Sequence, residues 1–238
     1  MSLLNPEIDS GFDLNGAAAV FQAHGHVRLA GVMKPERASA IADASKAIDR
    51  WSFSYGAAEG VGRIDPQQIQ TWPDEQRAAF NHALVTSARK GKGFAYFSRQ
   101  MTSPDAFGPL PPPVAAMAND LMSSDVLAFL GKLAGLSGVS KVDAHLTQFR
   151  PGHYLTRHID SLHANNRKLA FVWGLTKDWH PDWGGLLQFY DRSGTPKLAF
   201  APGFNTLDIF SVEQIHAVTY VTPFATGPRQ AVSGWYME

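Results

Sequence analysis

The chain has 238 residues, 45% hydrophobic and 18% charged, enough to bury a core as one large domain or two small ones. Lys plus Arg and Asp plus Glu number 21 each, and a formal net charge of zero argues against a surface built for phosphate backbones or anionic lipid. Cysteine is absent, which excludes disulfides, thiolate metal sites and thiol nucleophiles, so any metal must be held by His, Asp, Glu or carbonyl oxygen.

Met1 to Asn15 has no basic start and no apolar run, and it carries Glu7, Asp9 and Asp13, which is not the pattern of a signal peptide. No stretch approaches the roughly 18 apolar residues of a membrane span. A cytoplasmic protein with neither membrane nor direct nucleic-acid partners is expected. His26 to Ala30 reads as a short strand. Pro35 and Glu36 then open a helix with Ala38, Ile41, Ala42, Ala44, Ser45 and Ile48 at helical spacing. Ser54 to Thr71 has several Gly and Gln and little periodicity, and reads as a loop. Pro73-Asp74-Glu75 starts a second helix reaching about Lys90, and Gly93 to Ser98 reads as a strand. The Pro-rich run Gly108 to Pro113 is too short for a domain linker and reads as a stiff connection into the next helix. Ser123 or Ser124 can cap a further helix that carries Val126, Leu127, Phe129, Leu130 and Leu133 on one side and ends at Gly135.

From Ser140 onward, short β-branched and aromatic runs alternate with turn dipeptides such as Pro151-Gly152, Asn165-Asn166, Gly184-Gly185, Ser193-Gly194 and Pro202-Gly203. Strands are predicted at 141–149, 154–159, 168–175, 186–190, 196–200, 206–210, 216–221 and 229–236. Short strands at this spacing indicate a sandwich or barrel. The expected architecture is one α+β domain over 1–238: a mainly helical half, 1–139, packed on one sheet of a double-stranded β-helix, 140–238, a jelly-roll of cupin-like form.

His158 and Asp160 stand two apart, a spacing that puts both on one face of a strand. His216, at the start of a later strand, is a candidate third ligand. Two imidazoles and one carboxylate leave about three positions free on an octahedral ion, the arrangement used for Fe(II) that must also bind co-substrate and O₂. His-x-Asp alone is a weak signal, since a polar turn produces it as readily. His24, His26, His82, His145, His153, His163 and His180 read as surface or structural, with His145 and His153 flanking the proposed site.

The last strand adds a second signal. Arg229, Ala231, Ser233 and Trp235 share one face. An arginine turned into a barrel needs an anion to offset its desolvation, and a two-pronged pairing with a carboxylate supplies one.

The run Phe149-Arg150-Pro151-Gly152-His153-Tyr154-Leu155-Thr156-Arg157-His158-Ile159-Asp160 resembles the first iron motif of the Fe(II)/2-oxoglutarate-dependent dioxygenases, in their prolyl 4-hydroxylase-like branch. Matches continue in order at Lys177-Asp178-Trp179, Trp183 to Leu187, Pro202 to Leu207, His216-Ala217-Val218 and Arg229 to Trp235, covering about residues 140–238. The resemblance implies that His158, Asp160 and His216 hold Fe(II) as the catalytic centre. It also implies that Arg229 binds the distal carboxylate of 2-oxoglutarate, with O₂ as the other co-substrate and ascorbate as an accessory small molecule. Gly174 and Phe149 fall where relatives carry tyrosines near 2-oxoglutarate, so two hydroxyl contacts are missing, and Tyr154, Ser233 or a water are the candidates to replace them. The carboxylate of Asp160 points to hydroxylation rather than halogenation. The implied reaction couples decarboxylation of 2-oxoglutarate to succinate with hydroxylation of an unactivated C–H bond, the expected target being a prolyl residue of a protein or peptide. Trp173, Trp179, Trp183 and Tyr190 are candidates for a substrate groove at the barrel mouth. The alternatives are a non-catalytic metal- or ligand-binding jelly-roll, and a hydroxylase of a free amino acid or other small molecule.

Overall fold

A computed structural model describes residues 2–5, 13–58, 60–162 and 166–238, so the expected turn at Asn165 and the residue His163 lie outside the described residues. Its strands are β1 (His26–Ala30), β2 (Ser52–Ala57), β3 (Gly60–Ile64), β4 (Phe94–Gln100), β5 (Lys141–Phe149), β6 (Tyr154–His158), β7 (Arg167–Leu175), β8 (Leu187–Tyr190), β9 (Pro196–Phe200), β10 (Phe204–Ser211), β11 (Ile215–Val218) and β12 (Arg229–Met237). They form one curled sheet in the order β1-β10-β7-β12-β5-β4-β6-β11-β8-β9, with β2 on β4 and β3 on β2. All eight strands expected after residue 140 are present. Every neighbouring pair is antiparallel, as a jelly-roll requires.

The curl turns at β4. Phe97 to Gln100 pair with β5, while Phe94 and Ala95 pair with β6, so one strand joins the two halves of the barrel. The first half is therefore not only a helical buttress: β1 extends the sheet beside β10, and β4 closes it.

The helices are α1 (Leu14–His24), α2 (Pro35–Lys46), α3 (Pro66–Gln70), α4 (Asp74–Arg89), α5 (Pro112–Asp120) and α6 (Ser124–Ala134). Alternation along the strands decides what packs where. Leu169, Phe171, Trp173, Val232 and Tyr236 face outward and join Ile41, Met117, Leu121, Phe129 and Leu130 in the main core. Each such side chain contributes about 1.5–3 kcal/mol by leaving water. The buried Tyr236 hydroxyl donates to the Leu121 carbonyl at 3.0 Å, tying β12 to the helical layer without leaving an unpaired polar group. Ala170, Val172 and Ala231, on the opposite face, look into the barrel with Phe189 and Phe210.

Two local expectations are revised. Residues 54–71 are not a loop: β2 and β3 form a hairpin, and α3 follows it. The pattern hides the strand because the buried positions of β2 are Ser52, Ser54 and Gly56, while Phe53 and Tyr55 are only half-buried. The burial is made possible by a 2.7 Å hydrogen bond between the Ser54 and Ser98 hydroxyls. Ser123 sits at the N-cap of α6, but its hydroxyl donates back to the Asp120 carbonyl, so it does not cap. α1 lays Leu14, Ala17 and Phe21 against the main core; Asp13 starts it by accepting from the Gly16 amide, and left-handed Gly25 ends it. Among the described residues no helix is long and apolar enough to cross a membrane.

Candidate metal centre and anion pocket

His158 closes β6, and His216 lies opposite it on β11 as its cross-strand partner. The two imidazole rings are 4.2 Å apart. Asp160 lies just beyond β6, as the first residue of a 3₁₀ turn (Asp160–Leu162), so it reaches the site from the turn and not from the strand face that i, i+2 spacing suggests. The Ser161 amide, donating to the Val212 carbonyl, anchors that turn. His158 Nε2 is 3.5 Å from Asp160 Oδ1, and His216 Nε2 is 3.7 Å from Asp160 Oδ2. One ligand atom from each residue lies within 4.8 Å of the other two, a spread that a single ion can bridge.

The imidazoles are set for metal on the Nε2 side. His158 Nδ1 lies 3.0 Å from the Thr156 carbonyl, and His216 Nδ1 lies 3.0 Å from the Gln214 carbonyl. Each Nδ1–H is thereby donated to backbone, which turns the Nε2 of each ring toward Asp160. Burial, with His158 beside it, lowers His216 to about 4, against the opposing pull of Asp160, so its ring is neutral at neutral pH. Burial would raise Asp160, but the His158 hydrogen bond, the charges of His216 and His158, and the Trp235 indole hold it at about 2. Two imidazoles beside an ionised carboxylate are a donor set that a divalent first-row ion takes. Arg167 braces the acid: its guanidinium lies 3.5 Å over the Trp235 ring, and its Nη1 donates to the Asp160 carbonyl.

The same cavity contains Arg229, at the start of β12, where it is only 5% exposed. Its guanidinium packs 5.0 Å from the Phe149 ring centroid and, among the described residues, makes no hydrogen bond or ion pair with protein. Burial lowers it to about 10, still cationic near neutrality, with Asp208 pulling it back up. Gly185 makes room for its stem, because a Cβ there would stand 3.3 Å from Arg229 Cδ and 3.2 Å from Trp179. A buried, unpaired cation at the end of a largely apolar cavity is a receptor for an anion.

Ser233 also lines the cavity, whereas Tyr154 does not: its hydroxyl donates to the Leu84 carbonyl of α4. Gly174 is not an empty slot. A Cβ there would lie 2.4 Å from both the Gly203 carbonyl oxygen and Thr206 Oγ1, so the chain at Gly203 fills the space a tyrosine would need. The groove expectation is corrected for Trp173, which is buried in the helix-facing core, and for Tyr190, which shares neither the cavity nor the inward face of Leu187 and Phe189 on β8. Trp179 and Trp183 pack with Phe149 and Val221 near the Arg229 end. His153 packs against Phe97, and His145 lies beside Asp143 and Arg63. The residue that sequence reasoning missed is Tyr96 of β4, which lines the cavity. Only the pairing of β4 with both β5 and β6 brings it there.

Residues 144–237 match the family model of the 2OG-Fe(II) oxygenase superfamily, which bears out the family resemblance of the sequence. Mouse prolyl 3-hydroxylase OGFOD1 is 31% identical over 123 residues, 49% of this chain and 22% of that protein. The chain thus spans about a fifth of the length of this curated relative. Among solved structures, a Pseudomonas putida prolyl-4-hydroxylase superposes with a TM-score of 0.61 at 17% identity, covering 94% of this chain and 98% of that one. A Trichoplax adhaerens prolyl hydroxylase, in complex with a hypoxia inducible factor oxygen degradation domain peptide fragment, gives 0.61 at 14% identity, covering 94% and 88%. At such identities the likeness is one of fold, and the fold is the expected jelly-roll core.

Proposed function

Because residues 144–237 carry the 2OG-Fe(II) oxygenase match, we propose that this protein is an Fe(II)- and 2-oxoglutarate-dependent dioxygenase that hydroxylates a prolyl residue of a protein or peptide. The observation that carries the reading is Arg229, buried without a protein partner in the cavity that also contains His158, Asp160 and His216. A metal-binding module without co-substrate needs no such cation. His158, Asp160 and His216 would hold the iron, and Arg229 would hold the distal carboxylate of 2-oxoglutarate. The bound iron supplies oxidation of a C–H bond by O₂, coupled to decarboxylation of 2-oxoglutarate.

The chain's own contribution is positioning and dryness. The backbone carbonyls of Thr156 and Gln214 fix the imidazole tautomers, Arg167 steadies Asp160, and Arg229 selects a dicarboxylate of the right length. Phe149, Leu155, Val172 and Phe210 exclude water from the space between the two charged ends. The likeness to OGFOD1 and to the Pseudomonas and Trichoplax prolyl hydroxylases, the last in complex with a peptide, supports proline as the target and a polypeptide as the partner. Ascorbate as accessory reductant and a cytoplasmic site of action belong to the same proposal.

The test is succinate release from 2-oxoglutarate with Fe(II) and O₂, followed by mass spectrometry of proline-containing peptides for products one oxygen atom heavier. Succinate release with peptide oxidation supports the proposal. Oxidation of free amino acids alone would move the substrate to the small-molecule class, and absence of 2-oxoglutarate binding would overturn the dioxygenase reading.

A further inference from the structure

We infer that Tyr96, from the N-terminal half of the chain, is a co-substrate-binding residue whose hydroxyl donates a hydrogen bond to 2-oxoglutarate at the end remote from Arg229. This rests on the dioxygenase reading above and adds a residue that none of the iron-site motifs contains. Its ring lies on that of Phe149, centroids 4.8 Å apart and planes 16° from parallel. Phe149 in turn packs under Arg229, so an aromatic pair runs along the cavity wall from the cation toward Tyr96.

The two ends are electrostatically distinct. The charges that act on Arg229 are Asp208 and Arg28, whereas those acting on the Tyr96 phenol include Asp160 of the metal set together with Arg63, Arg167 and Asp143. The Tyr96 phenol thus feels the carboxylate of the candidate metal set, and Arg229 feels Asp208 instead.

The hydroxyl is available. Tyr154 donates to the Leu84 carbonyl, Tyr190 to Gln188 Oε1 and Tyr236 to the Leu121 carbonyl, but the Tyr96 hydroxyl has no hydrogen-bond partner among the described residues. An oxygen-rich ligand in the cavity that Tyr96 lines offers this hydroxyl an acceptor. Burial raises its pKa against the opposing charge of Arg63, so the group remains a proton donor near neutral pH. Phe149 lacks a hydroxyl and Gly174 has no space for one. Tyr96 reaches the same cavity from a neighbouring strand.

The experiment titrates the Fe(II)-loaded full chain with 2-oxoglutarate without O₂, following the charge-transfer absorption that a 2-oxo acid gives on Fe(II). Tyr96→Phe keeps the ring stack on Phe149 and is expected to weaken 2-oxoglutarate about fivefold, the worth of one hydrogen bond (~1 kcal/mol), with iron affinity unchanged. It should also shift the absorption maximum at saturation, because the lost donor sits at the metal end. Arg229→Ala should weaken binding more strongly and leave the maximum where it is. Wild-type affinity and an unshifted maximum in Tyr96→Phe would overturn the inference while leaving the dioxygenase reading intact. No binding by the unaltered protein would overturn both.

Discussion

Arg28 of β1 grips Asp208 of β10 with both prongs, Nε to Oδ1 at 2.6 Å and Nη2 to Oδ2 at 2.7 Å. Asp208 is the carboxylate whose charge reaches Arg229, and Arg28 has already engaged it. The pair thus neutralises itself and leaves Arg229 in want of an anion from outside the protein. Arg229→Ala should therefore raise the 2-oxoglutarate dissociation constant at least about tenfold, since losing one partner of a buried charge pair commonly costs about 2–5 kcal/mol. Arg229→Lys should recover only part of it, for want of the planar fork. Anaerobic titration reads both, and wild-type affinity in Arg229→Ala would remove the anion pocket from the account.

A related expectation concerns Arg28 itself. In Arg28→Ala, Asp208 loses its partner and is left to compete for Arg229 from within the barrel. 2-Oxoglutarate affinity should fall although the mutated side chain does not line the cavity. Asp208→Asn in the Arg28→Ala background should restore it. An Arg28→Ala protein that binds 2-oxoglutarate normally would mean that Asp208 and Arg229 do not communicate.

At the metal end, Asp160→Ala should abolish stoichiometric Fe(II) binding while circular dichroism stays that of the folded protein. The residue begins a short turn held separately by the Ser161 amide, so its carboxylate is not what holds the turn. Asp160→Glu should also bind iron poorly, because one added methylene displaces the oxygen by about a bond length in a site of fixed geometry. Iron analysis after gel filtration decides, and full iron content in Asp160→Ala would mean the metal sits elsewhere.

Placing a tyrosine at position 174 should harm rather than help. A Cβ there already meets the Gly203 carbonyl oxygen and Thr206 Oγ1 at 2.4 Å. Gly174→Ala should cost about 1–3 kcal/mol in urea denaturation through overpacking, and Gly174→Tyr more. A stable Gly174→Tyr protein that binds 2-oxoglutarate more tightly would show that the chain at Gly203 can yield.

Acid should act through His153. Burial lowers it to about 4 from an ordinary 6.5, with the Arg150 charge adding and a Gln148 backbone hydrogen bond opposing. The unfolded chain takes up this proton first, so the contribution to stability is complete above about pH 6.5 and is lost as pH falls from 6.5 toward 4. In His153→Gln the loss of stability between pH 7 and pH 4 should shrink by roughly 1–3 kcal/mol, allowing for partial solvent screening. Urea midpoints at stepped pH measure it, and an unchanged slope would assign the acid sensitivity to other groups.

Much of this protein was determined by local pattern. The strands after Ser140 carry alternation and turn dipeptides, and their positions follow from the period of two that a sheet imposes on any half-buried strand. The metal set was legible because His158, Asp160 and His216 are chemically distinctive, and Arg229 because a cation on an inward-facing position demands an explanation. Three things waited for the tertiary structure. The β2–β3 hairpin was hidden because Ser52 and Ser54, not the aromatics, are its most buried residues, and the acceptability of a buried serine depends on its partner across the sheet. The missing tyrosine at Gly174 became intelligible only when the Gly203 carbonyl was seen to occupy its place. Tyr96 entered the site because β4 bridges β5 and β6, bringing its side chain into a cavity whose candidate metal ligands begin about sixty residues later in the chain. Period and chemical type are properties of a residue and its near neighbours. Which polar group meets which partner is decided by non-local pairing, to which the linear sequence carries no direct pointer.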